Sequence, residues 1–455
     1  MVHDLYILMI TAGVVSLLFK LLKQPVVLGY IVAGVIVGPY FFGESFINNA
    51  ENVEAWGNIG VLFVLFCIGL EFRIKNLLQS GKVAAIGGAT IIIGMMLLGY
   101  SVGYLAGLNM MNSLFLAGML CMSSTTIVMK AIDEAGLNKE RFVKGATSIL
   151  IIEDVVAVVL MVLLSSIAIK NQFEGTELLD KVLVLAVTLV IWFVLGILVI
   201  PTLMRKLKPY LNDETLIIIS LGLCLGMVLT AEEAGFSSAL GAFVMGTILA
   251  ETTESHRIEK LMTPLKNVFA AIFFVSVGMM INPASLVEYW PAILNVCVVV
   301  IVGMIIFGTL GCWWGGETLR DSMMTGFSYV QIGEFSFIIA ALGNKLGVTD
   351  PALYPIIVAS SVVTTFLTPY IIKAAMPCYQ FLYKHAPEKV RAKIDLREQQ
   401  VAEAEKISAG ENGGSATADK VRHAVRHTFV TKHLVNLFIK NMSAHDEETK
   451  EETKD

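Results

Sequence analysis

The sequence predicts an all-α polytopic membrane protein of about 13 transmembrane helices, built as two inverted-topology repeats with crossed discontinuous helices. Three observations lead there. The 455 residues are 56% hydrophobic and only 16% charged, with a mean hydropathy of +0.73, too little charge for the surface of a soluble chain of this length. Apolar runs near the roughly 20 residues needed to cross a hydrocarbon core recur up to residue 376. Two local patterns then return at nearly one offset, on helices of opposite orientation.

The runs place helices near 5–19, 25–42, 56–71, 83–106, 112–132, 142–169 and 180–204, then 215–230, 234–250, 264–282, 290–314, 322–343 and 351–376. MVHDLYILMI carries neither a basic leader region nor a cleavage site, so the first run is expected to remain in the protein. Pro25, Pro39 and Pro264 are read as helix starts or ends, and Trp290, Trp313 and Trp314 as interfacial anchors. With the N-terminus outside, the inner loops hold sixteen Lys and Arg residues against Lys170, Lys181 and Lys345 outside. That excess sets the C-terminus inside a cytoplasmic membrane. Residues 1–376 form the membrane domain, and 377–455 form a charged cytoplasmic tail with a candidate amphipathic helix at 419–441. Six scattered cysteines without His companions point to neither disulfides nor a metal cluster.

LGYIVAGVIVGP (28–39) aligns with LGAFVMGTILAE (240–251), and LFVLFCIGL (62–70) with AIFFVSVGM (271–279), at offsets of 212 and 209. Each pair links helices seven apart in order. An odd separation reverses direction through the membrane, as in transporters whose site lies at the midplane between inverted halves. The glycines at 29, 34, 241 and 246 are read as close-packing positions.

The chemistry concentrates in three stretches. SILIIEDVVAVVLMVLL (148–164) holds Glu153 and Asp154 in a run with no other charge between Lys144 and Lys170. A carboxylate at the bilayer centre costs about 2.5–3.5 kcal/mol on insertion scales, so the pair is expected to face a wet cavity in the bundle. Neighbouring helical positions point about 100° apart, so both acids can border one cavity. There a cation and a proton compete for one carboxylate. The alternative is a buried structural pair bonded to backbone or serine groups. SSTT, comprising Ser123, Ser124, Thr125 and Thr126, interrupts the fifth helix; if the helix opens there, its hydroxyls and freed carbonyls suit sodium or potassium. At an offset of about 208, QIGEFSF brings Gln331, Gly333 and Glu334 into the twelfth helix. Under the repeat the two breaks cross near the midplane, with helix ends whose partial charges compensate.

QPVVLGYIVAGVIVGP, LFVLFCIGLE, SSTTIVMK, IIEDVVAVV, SSALGAFVMGTILAE, FFVSVGMMIN and QIGEFSF, in that order, resemble the monovalent cation:proton antiporters of the second major branch, the Kef-type and related sodium/proton exchangers. The resemblance covers about residues 5–376. It implies that Glu153 and Asp154 form the ion site, with Asp154 the shared ligand of cation and proton. It also implies a homodimer, with helices 1–3 and 8–10 as scaffold and helices 4–6 and 11–13 as moving core. Two departures stand out. Many electrogenic relatives carry a lysine where Met304 stands, so exchange closer to one-for-one and electroneutral is expected. The tail holds no GxGxxG turn and is too short for a nucleotide-binding regulatory domain.

The expected activity is therefore elevator-type exchange of Na+ or K+ for H+, in a lipid bilayer, with a monovalent cation held at Asp154. No enzyme activity, cofactor or nucleic-acid partner is expected. The rival reading is a gated cation channel or membrane sensor without proton coupling. Glu71 and the Glu232/Glu233 pair are read as interfacial acids, with an ion-entrance role as the alternative.

Overall fold

Each apolar run becomes a helix, and two runs that carry polar interruptions become broken helices. The computed structural model describes residues 2–22, 24–41, 46–71, 81–170, 175–234 and 236–410. The first half holds α1 (Val2–Leu21), α2 (Val26–Val37), α3 (Ala50–Glu71), α4 (Gly81–Leu105), the broken pair α5 (Met110–Leu120) and α6 (Thr125–Glu134), and α7 (Phe142–Lys170). The long α8 (Gly175–Leu207) leads into α9 (Asp213–Glu233), α10 (Ser238–Ala250), α11 (Ser255–Met279), the short α12 (Pro283–Glu288) and α13 (Trp290–Gly315). A second broken pair, α14 (Leu319–Ser328) and α15 (Glu334–Lys345), precedes α16 (Leu353–His385) and α17 (Glu388–Gly410).

Among the described residues, nine helices, the α5–α6 pair taken as one, are long and apolar enough to cross a membrane, and α2 and α10 are shorter apolar helices. Large apolar side chains ring the outside, among them Ile10 and Leu17 on α1, Ile218 and Leu229 on α9, and Val298 and Val302 on α13. An exposed apolar surface on this scale is one that lipid covers.

The inverted repeat is visible as paired backbone contacts. A Cβ on Gly34 of α2 would stand 2.8 Å from the Cα of Gly278 on α11. A Cβ on Gly69 of α3 would stand 3.0 Å from the Cα of Gly246 on α10. The aligned motifs equate Gly34 with Gly246 and Gly69 with Gly278, so these are one contact written twice. The other group of helices repeats the device: a Cβ on Gly99 would lie 2.8 Å from Ala117 Cα, and one on Gly308 would lie 2.8 Å from Gly326 Cα. Both of those partners lie 209 residues apart in sequence. Small residues let backbones close to this range, which is how helices associate in lipid.

Packing sorts the helices into two groups. α1–α3 pack with α9–α11, and α4–α7 pack with α13–α16, while α8 touches α7 and α10. The helix boundaries differ most from the sequence expectation in two places. Pro264 lies inside α11 rather than at its start. The helix begins at Ser255 because the polar turn before it is anchored: Lys208 Nζ is 2.9 Å from Glu254 Oε1, and Arg257 pairs with both Glu254 and Asp213. At the other end α16 runs on to His385, and α17 folds back on it. Tyr379 donates to Glu398 (2.8 Å), Tyr383 donates to Asp395 (2.7 Å), and Arg397 bonds the Trp313 carbonyl while lying over its ring. The candidate amphipathic helix at 419–441 lies outside the described residues.

Candidate ion site

The two broken helices create the site because each break leaves backbone groups without helical partners. α5 stops at Leu120, and α6 restarts after Ser124, whose hydroxyl accepts from Ile127 N. α14 stops at Ser328, and α15 restarts after Gly333. Ser124 and Gly333 are again 209 residues apart, so the repeat equates the two caps.

The extended segments satisfy one another. Gly333 N donates to Met122 O (2.9 Å), Gln331 Nε2 to Ser124 O (3.3 Å) and Ser123 Oγ to Tyr329 O (3.3 Å). Ser336 Oγ donates to Met119 O, and Tyr329 OH reaches Ala146 O on α7. Gly333 permits the crossing: a Cβ there would sit 2.7 Å from both C and O of Ser123 and 2.9 Å from Ser124 N. Two half-helix N-termini and two C-termini meet at this point, so their partial charges of about half a unit each largely offset.

α7 runs past the crossing and presents both acids to it. Glu153 Oε2 accepts from Ser123 N (3.2 Å), and Asp154 Oδ2 accepts from Thr125 Oγ1 (3.3 Å). Their surroundings differ sharply. Glu153 is 1% exposed, and its Oε1 has no hydrogen-bond partner. Asp154, Thr125 and Glu334 are half-buried, and Thr126 is exposed. The structure thus brings Ser123, Ser124, Thr125, Gln331, Gly333, Glu153 and Asp154 into one contact network, with Glu153 sealed and Asp154 partly exposed. Among the described residues no side-chain hydrogen bond joins Thr126 to it. Met304 Sδ stands 4.0 Å from Ser123 Oγ and is fully buried, so a methionine backs the break that Glu153 holds.

Sequence reading missed the ledge on α16. Ser361 Oγ donates to Ile332 O (2.9 Å), and Thr364 Oγ1 accepts from Ile332 N (3.4 Å). Ile332 is the repeat counterpart of Ser123, so a neutral hydroxyl in the second half occupies the role Glu153 has in the first. The signal was present in ASSVVTTFLT (359–368), whose Ser360, Ser361, Thr364, Thr365 and Thr368 are all buried.

In chemical terms, the site offers carboxylate, hydroxyl and carbonyl oxygens, and no Lys or Arg lies within residues 123–129, 148–164 or 329–336 that carry them. Such oxygens suit hard cations, and a proton and a cation taking the same Asp154 oxygen exclude one another.

Residues 7–377 match the sequence pattern of the family described as "Sodium/hydrogen exchanger, transmembrane". The chain is 29% identical over 394 residues to the K(+)/H(+) antiporter subunit KhtU of Bacillus subtilis (strain 168), covering 85% of this chain and 96% of that protein. It is 28% identical over 361 residues to the Na(+)/H(+)-K(+) antiporter GerN of Bacillus cereus, covering 77% and 90%. Against K(+) efflux antiporter 5 of Arabidopsis thaliana it is 29% identical over 378 residues, covering 82% of this chain and 66% of the plant protein. Among solved structures, the sodium proton antiporter MjNhaP1 from Methanocaldococcus jannaschii shares the fold, with a TM-score of 0.64 at 16% identity, over 82% of this chain and 95% of that one.

Proposed function

The chain belongs to the sodium/hydrogen exchanger family of monovalent cation:proton antiporters, and on that premise we propose that it exchanges Na+ or K+ for H+ at Asp154. The observation that carries this reading is the contrast within the acidic pair. Asp154 is half-buried, holds one hydroxyl donor and lies on a membrane-spanning helix. Glu153 is sealed and tied to the backbone of the break. An exchanging ligand needs a wet face; a structural acid does not.

Alternating access follows from the two packing groups. The group holding α4–α7 and α13–α16 carries the site and moves as the core, while the group holding α1–α3 and α9–α11 stays as scaffold. Contact between the groups is sparse beside the packing within each, which supports motion of one against the other. The chain sits in the cytoplasmic membrane as a homodimer, with its N-terminus outside and C-terminus inside, as the excess of inner Lys and Arg indicates. Met304 supplies no charge beside Glu153, so exchange is one-for-one and electroneutral. The movement is of Na+ or K+ outward against protons inward.

Everted vesicles test the assignment. With a preformed proton gradient, addition of Na+ or K+ releases protons in the wild type, and Asp154→Asn abolishes the response. Full activity in that variant refutes the assignment.

A further inference from the structure

Resting on that reading, we propose that the second half of the repeat supplies ligands of its own to the transported cation: the carboxylate of Glu334, with the amide oxygen of Gln331. The site would then be built across the two halves rather than from α7 and the first break alone.

The argument begins with the repeat. Glu334 and Thr125 are 209 residues apart, and each opens a half-helix directly after the equivalent cap, Gly333 or Ser124. Thr125 already touches Asp154. Its counterpart therefore starts from the mirror-related place at the same crossing, held there by the approach of Gly333 to the Ser123–Ser124 backbone. Glu334 is half-buried, like Asp154 and Thr125 and unlike Glu153. Among the described residues its carboxylate has neither an ion-pair partner nor a hydrogen bond.

A second, independent observation points to a ligand. Gln331 is fully buried, its Nε2 is committed to Ser124 O, and its Oε1 has no hydrogen-bond partner. A buried amide oxygen without a donor costs free energy unless water or a cation satisfies it. It belongs to the same amide whose nitrogen bonds the Ser124 carbonyl, the cap next in sequence to the Thr125 that donates to Asp154. Two carboxylates, an amide oxygen and a hydroxyl are the hard oxygen ligands that Na+ or K+ takes.

An acidic residue in a first helical turn also favours the helix N-terminus without touching any ligand. Selectivity separates the two roles. In proteoliposomes with an imposed pH gradient, half-saturating concentrations are measured for Li+, Na+, K+ and Rb+ in the wild type, Glu334→Gln and Glu334→Asp. The expected result is a rise of about tenfold or more for the preferred cation in Glu334→Gln, and a changed order of preference in Glu334→Asp, whose carboxylate is set back by one methylene. A uniform fall in turnover, with unchanged half-saturation and unchanged order, means a helix-end role and overturns the proposal. Should Glu334→Gln not fold, as judged by size-exclusion in detergent, Glu334→Asp decides by the same criterion. If the wild type shows no exchange, the antiport reading itself has failed; if the wild type exchanges and both variants match it, only the ligand role of Glu334 has.

Discussion

Ser123 gives its backbone N–H to Glu153 across 3.2 Å, and Ile332, its repeat counterpart, gives the equivalent N–H to Thr364 across 3.4 Å. The fold thus needs an acceptor at each break, and a hydroxyl suffices in one half. It follows that the anchoring task of Glu153 does not require a charge. Glu153→Gln keeps an acceptor oxygen and is expected to fold with a Tm close to wild type. Glu153→Leu leaves a buried N–H without a partner and is expected to lose about 1–3 kcal/mol. Thermal unfolding in detergent distinguishes the two.

Thr125 is the donor that orients Asp154. A hydrogen bond to a charged group contributes about 1.5–3 kcal/mol. Thr125→Val is therefore expected to raise the half-saturating cation concentration about tenfold, with little change in Tm. Thr125→Ser restores the hydroxyl and most of the affinity, so the pair of substitutions measured in proteoliposomes isolates the donor from the methyl.

Gly333 makes the sterically strict claim. A methyl at that position meets the backbone of Ser123 and Ser124, which cannot rotate aside. Gly333→Ala is expected to cost about 1–3 kcal/mol and to abolish exchange by parting the breaks. Gly222 on α9 faces open space, so Gly222→Ala serves as a neutral control for expression and turnover.

The anchor before α11 sets a pH dependence. The Lys208 ammonium bonded to Glu254 holds that carboxyl below the usual range. A depressed folded value means the contribution is present above the unfolded carboxyl pKa of about 4.3 and fades as pH falls through the folded value. Lys208→Met is therefore expected to lower Tm at neutral pH, and the gap from wild type is expected to close in acid. A gap that persists with Glu254 protonated points to lost packing by the lysine stem instead.

Much of this was legible because polar residues in an apolar run are costly enough to mark themselves. SSTT and QIGEF announced the two breaks, and the paired glycine motifs announced the inverted repeat that the Gly34–Gly278 and Gly69–Gly246 contacts display. Which acid of the pair is sealed was not legible. Around Glu153 and Asp154 the helix is apolar on every side, so periodicity names no inner face, and only the packed partners decide it. The hydroxyl ledge of α16 escaped for a related reason: serine and threonine in membrane helices usually bond their own backbone, and Thr368 does so here. Nothing in the residue order distinguishes it from Ser361, which crosses to Ile332. Pro264 misled as a boundary marker because the ion pairs that carry α11 past it join residues as far apart as Lys208 and Glu254.

The central claim, that Asp154 holds either a proton or a cation but not both, is tested most directly by imposing a pH gradient on proteoliposomes and following cation content. The wild type should accumulate Na+ or K+ above its equilibrium level until the gradient decays, and Asp154→Asn should bring the two sides only to equilibrium or leave them unchanged. Uphill accumulation that survives in Asp154→Asn, or a wild type that only lets cations run downhill, contradicts the account.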